Sequence, residues 1–124
     1  MKKLFISVPM KGRTEENIKK SMDKMHKIAE IIFDQPLERI ESYIPDNAPG
    51  DCRDKRIWFL GESIKLMSEA DYFIGVEEYF GLFQGCAVER NVAQLYQVCT
   101  YFIDLGITCP DIDIDEMIKR DVVA

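Results

Sequence analysis

Apolar positions fall along this chain in two alternating rhythms. Leu4-Phe5-Ile6-Ser7-Val8 is a short apolar run between a lysine pair and Pro9, the pattern of a buried first strand. Pro9 to Arg13 reads as a loop, and Thr14 is placed to cap a helix whose first turn carries Glu15 and Glu16, where negative charge suits the helix dipole. Ile18, Met22, Met25, Ala29 and Ile32 recur at helical spacing and predict one face packed on a sheet. Leu37 to Ile44, between breaker clusters at 34–36 and 46–51, reads as a second strand, with the second cluster a loop over the site or a plain surface connection. Ile57, Leu60, Ile64 and Met67 predict a second helix, which Gly61 interrupts. Asp71 to Val76 is the next strand.

Residues 77–84 form a loop carrying Tyr79, Phe80 and Phe83. A third helix is expected from Cys86 toward Val98, burying Val88, Val92, Leu95 and Cys99, with Glu89 beside that stripe. Thr100 to Ile103 supplies another strand, and a short helix from Asp115 to Lys119 lies in a tail that packs on the domain or on a partner subunit. Strands and helices in alternation predict an α/β domain with a mostly parallel sheet, residues 1–124 forming one unit.

The composition narrows the function classes. Of 124 residues, 47% are hydrophobic and 31% charged, which suits a single core; 16 basic against 22 acidic residues give a net charge of -6. Lysine and arginine form no continuous stripe, so no nucleic-acid partner is expected. No stretch approaches the roughly 20 apolar residues of a membrane span, and the residue 4–8 run is too short for a secretory leader, so a cytoplasmic protein without a membrane partner is expected. Cys52, Cys86, Cys99 and Cys109 lack metal-ligand spacing, His26 lies beside its helical stripe without a second ligand, and no metal or other cofactor is expected. Cys86 has no basic neighbour to activate it, so packing is its expected role.

The chemistry gathers on Glu89. A carboxylate where a strand gives way to a helix, in Gly85-Cys86-Ala87-Val88-Glu89-Arg90, is placed for the crevice at the C-terminal ends of parallel strands. The stretches Phe5 to Thr14, Trp58 to Met67, Ala70-Asp71 and Gly85 to Glu89 resemble a small bacterial and phage family related to the nucleoside 2-deoxyribosyltransferases and nucleotide N-glycosidases, over roughly residues 3–105.

That resemblance implies a flavodoxin-like three-layer sandwich and cleavage or transfer at the N-glycosidic bond of a nucleoside or nucleoside 5'-monophosphate. It implies Glu89 as the nucleophile toward the anomeric carbon, an expectation that agrees with carboxylate chemistry at an oxocarbenium-like centre. Phe5 stands where the transferases carry a tyrosine that orients the nucleophile, and Ser63 where many relatives carry an aspartate. Glu62 is then the expected acid/base; Ser7, Met10, Gly12, Arg13, Ser63 and Gly85 are expected around the sugar or phosphate, and Tyr79 as a stacking residue for the base. Asp71, just before its strand, is expected to cap or brace the crevice. A homo-oligomer is implied as well. The alternatives are a nucleotide-binding or sensing protein without chemistry and a phage-type partner-binding domain.

Overall fold

The computed structural model describes residues 1–77 and 81–123, with side chains to residue 120. The elements follow in the order β1 (Lys2–Ile6), α1 (Glu15–Ile32), β2 (Leu37–Arg39), α2 (Lys55–Met67), β3 (Tyr72–Val76), α3 (Gln84–Leu95), β4 (Cys99–Ile103), α4 (Leu105–Thr108) and α5 (Ile114–Val123). The strands form one sheet in the order β2-β1-β3-β4, and every pairing is parallel. Helices cover both faces, giving the flavodoxin-like three-layer sandwich.

Strand alternation divides the core. Leu4, Ile6 and Val8 of the first strand and its extension point with Ile74, Val76 and Ile103 toward Met25 and Ala29 of α1. Phe5, Phe73 and Phe102 point the other way, toward Met67 of α2 and Ala93 of α3. Phe5 and Phe73 are register partners with rings stacked at 5.8 Å, and Phe102 meets Phe73 edge-on at 6.3 Å. Thr14 caps α1 as expected, accepting the Asn17 N–H at 3.1 Å. Asp54 caps α2 by accepting the Arg56 N–H at 2.9 Å.

Several boundaries and faces depart from the sequence pattern. The first strand ends at Ile6, although Ser7 still donates its N–H to Ile74 O at 2.9 Å. β2 keeps only three residues; Ile40 donates one further backbone bond to Leu4 O before the chain leaves the sheet. In α1, Ile32 is exposed because it lies in the last turn, and the following Phe33 packs on Tyr72 at 4.3 Å. In α2, Ile57 is exposed and Met67 is the buried member of the expected stripe.

The largest correction concerns α3. Leu95 is 78% exposed, Val88 is 38% exposed, and Cys99 belongs to β4, on an exposed position. The helix buries Cys86 and Ala93 instead. The two buried residues serve different layers: small Ala93, with half-buried Val92, packs on the face carrying Phe5, Phe73 and Phe102, whereas Cys86, at the helix start, belongs to the α1-side core with Val8, Val76 and Cys109. Cys86 and Ala93 are seven residues apart, two turns on one face, with Glu89 between them.

The tail also gains definition. Asp104 caps the single turn of α4 through the Gly106 N–H at 2.8 Å, and α5 is longer than the expected 115–119. Ile112 and Ile114 pack against the α1-side core, so this segment folds back on its own domain.

Candidate functional site

In the order β2-β1-β3-β4, the chain leaves β1 in one direction to reach β2 and then crosses to β3 on the other side. The connections diverge between β1 and β3, and the C-terminal strand ends at such a divergence are where open parallel sheets bind their ligands. Ser7 follows β1 at this point. It continues the Phe5 alternation and therefore faces α2 and α3, not α1. Gly75, near the end of β3, lies on the same face. A Cβ there would come within 2.9 Å of the Phe73 ring, so glycine leaves the ring in place, and would make an ordinary contact with Ser7 Cβ at 3.6 Å.

Glu89 reaches this point from the second turn of α3, and Ser63 from α2, which packs beside α3. The Ser7 hydroxyl donates to Glu89 Oε1 at 2.8 Å, and the Ser63 hydroxyl donates to Glu89 Oε2. Each carboxylate oxygen thus has its own hydroxyl donor from a different element. Burial pushes the Glu89 carboxyl above its ordinary value, while the hydrogen bonds from Ser63 and Ser7 pull it back down. Cys86, one turn earlier, has its thiol pushed up to about 12 by burial, opposed by a hydrogen bond with Ser7. It remains a neutral thiol at physiological pH and is no nucleophile, in keeping with the packing role expected for it.

Comparison with protein-family models, with curated proteins and with solved structures finds no match to this chain.

The other expected site residues are dispersed. Arg13 turns to the α1 side of the sheet: its side chain is 3% exposed, bonded to Asp111 at 2.9 and 2.8 Å, to Ser21 Oγ at 2.6 Å and to Pro9 O at 2.8 Å. A guanidinium held in this way is a brace for the tail, not an open anion site. Glu62 pairs with Lys65 at 3.0 Å on α2, while its neighbour Ser63 is the residue that meets Glu89. A helix turns by about 100° per residue, so adjacent side chains cannot share a direction. Met10 is exposed in the β1–α1 loop; Gly12 takes a φ of +73° there, which favours glycine. Gly85 lies in the first turn of α3, and a side chain added there would enter open space. Tyr79 lies outside the described residues.

Asp71 sits at the N-terminal ends of the inner strands, where its carboxylate accepts the Lys3 N–H at 2.8 Å. It pins β3 to β1 far from the crevice. His26 bonds Leu37 O through Nε2 at 2.8 Å, which makes Nε2 the donor and ties α1 to β2. Among the described residues, no group of three or more His, Cys, Asp or Glu side chains is placed to share a metal ion, and no helix is long and apolar enough to cross a membrane.

Sequence reasoning missed the contact of Ser7 and Ser63 with Glu89, as well as the need for Gly75. The signal for Ser7 was present, since strand alternation places it on the Phe5 face. The resemblance had put Ser63 at the site, but not its contact with Glu89, which depends on how α2 packs on α3.

Proposed function

We propose that this protein cleaves or transfers at the N-glycosidic bond of a nucleoside or nucleoside 5'-monophosphate, with Glu89 as nucleophile. The observation that carries this reading is a desolvated carboxylate at the β1/β3 divergence, with both oxygens oriented by hydroxyl donors. The resemblance of residues 3–105 to the deoxyribosyltransferase-related family supports the same assignment for Glu89.

In the proposed reaction, a lone pair of the ionised carboxylate forms a bond to the anomeric carbon while the carbon–nitrogen bond breaks. The bond's electrons leave with the base, which takes up a proton. Water then displaces the glycosyl ester in a hydrolase, or a second base does so in a transferase. Glu62, paired with Lys65 and about one hundred degrees around the helix from Ser63, is not placed to give that proton, which solvent supplies instead. A 5'-phosphate finds donors at the start of α3, whose N-cap Phe83 offers no side-chain acceptor to the first-turn N–H groups.

The test is incubation of purified protein with deoxynucleoside monophosphates and chromatography for free base. Glu89→Gln abolishes release if Glu89 is the nucleophile; undiminished release by the variant removes it from that role. Glu62 held by Lys65 specifically favours a second reading, nucleotide binding without chemistry. Saturable binding across purine and pyrimidine nucleotides with no base released is its signature.

A further inference from the structure

We propose that Ser63 and Ser7, expected from the sequence as sugar or phosphate contacts, are instead a matched pair of positioning residues for Glu89, and that Ser63 rather than Glu62 is the functional residue of α2. The inference rests on the proposed role of Glu89 but is tested apart from it. Three elements that meet only in the folded chain each supply one member. Ser7 comes from the extension of β1, Ser63 from α2 and Glu89 from α3. The two hydroxyls divide the carboxylate between them, one on each oxygen, which fixes its plane as a single hydrogen bond does not.

Ser7 is suited to a fixed role. It is 1% exposed, its N–H is bonded to Ile74 O at 2.9 Å, and it is flanked by Cys86, whose thiol keeps its proton. Ser63 is only partly buried and approaches the other oxygen from the α2 side. This division makes Ser7 the anchor and Ser63 the member nearer to an entering ligand. Hydrogen bonds to the ionised form stabilise it against the cost of burial, so the pair keeps Glu89 ionisable as well as oriented.

The experiment follows the Glu89 side-chain carboxyl by carbon NMR during a pH titration of glutamate-labelled full-length protein, the signal being assigned by its loss in Glu89→Gln. Ser63→Ala and Ser7→Ala are expected to raise the titration midpoint, and Ser63→Thr, which keeps the hydroxyl, to return it toward wild type. With turnover measurable, Ser63→Ala is expected to lower kcat about tenfold at slightly acidic pH, with less loss at higher pH and little change in KM. Circular dichroism establishes that each variant is folded; Ser63→Ala alone decides the matter if Ser7→Ala does not fold. A midpoint unmoved by Ser63→Ala overturns the pairing. A moved midpoint in a protein that releases no base supports the pairing and removes the glycosidic reading instead.

Discussion

Glu89 carries opposing demands within one side chain. Its burial disfavours charge, and the two serines favour it, with burial the larger influence. A carboxyl whose folded pKa lies above its unfolded value contributes most to stability below the unfolded value, and that contribution is lost as pH rises through the folded one. Glu89→Gln keeps the shape without the charge. Thermal melts are therefore expected to show the variant more stable than wild type at pH 8, by about 1 kcal/mol or roughly 3–6 °C. The difference should shrink as pH falls below the ordinary glutamate range near about 4; a gap that widens on acidification contradicts the sign. The same elevation predicts that base release, if Glu89 is the nucleophile, rises with pH along a limb displaced above that range. Gly75 is the other residue with a sharp expectation. Gly75→Ala drives a Cβ into a Phe73 ring held between Phe5 and Phe102, and denaturant titration should show a loss of about 1–3 kcal/mol.

At the scale of elements, the tail is fastened by one guanidinium. Arg13, in the β1–α1 loop, reaches Asp111 beyond α4, while Ser21 of α1 donates to Thr108 O at 2.6 Å. Arg13→Ala leaves Asp111 without its partner and the Ser21 region without its brace, at an expected cost of about 2–4 kcal/mol, with faster hydrogen exchange in α5. Unchanged exchange there would argue against the brace. The Arg13 hydrogen bond holds the Asp111 carboxyl below its usual value. That contribution is present above the unfolded pKa and disappears as pH falls through the folded one, so wild type and Asp111→Asn should converge in stability only in acid.

For the whole molecule, the parallel sheet determines where a ligand would meet the chain. β1 and β3 are its inner strands, and Leu4, Phe5, Phe73 and Ile74 are each 1% exposed or less. Their amides should exchange only on global unfolding, ahead of which the three-residue edge strand β2 should open. A nucleotide at the crevice is expected to raise the melting temperature, as saturation at 100 times Kd adds about 2.7 kcal/mol. Absence of any such shift across the common nucleosides and their monophosphates, together with a defined complex with another protein, would favour a partner-binding domain.

Strand runs, helix caps and the α/β alternation were legible along the chain because each depends on neighbours a few residues away: Leu4 to Ile6, Thr14 before α1 and Tyr72 to Val76 all followed from local pattern. The exposed Leu95 was not legible. On α3, Ala93 and Val92 met the face of Phe5, Phe73 and Phe102, Cys86 joined the α1-side core at the strand ends, and Leu95 was left outside both. Local sequence likewise marked Glu89 as the carboxylate to explain, but the capture of Arg13 by Asp111, 98 residues away, and the meeting of Ser7, Ser63 and Glu89 required the packed layers. Local propensity thus determined the elements and their order. Tertiary packing decided which polar groups share a low-dielectric space, since the direction of a side chain across an interface depends on the volumes that fill both sides of it.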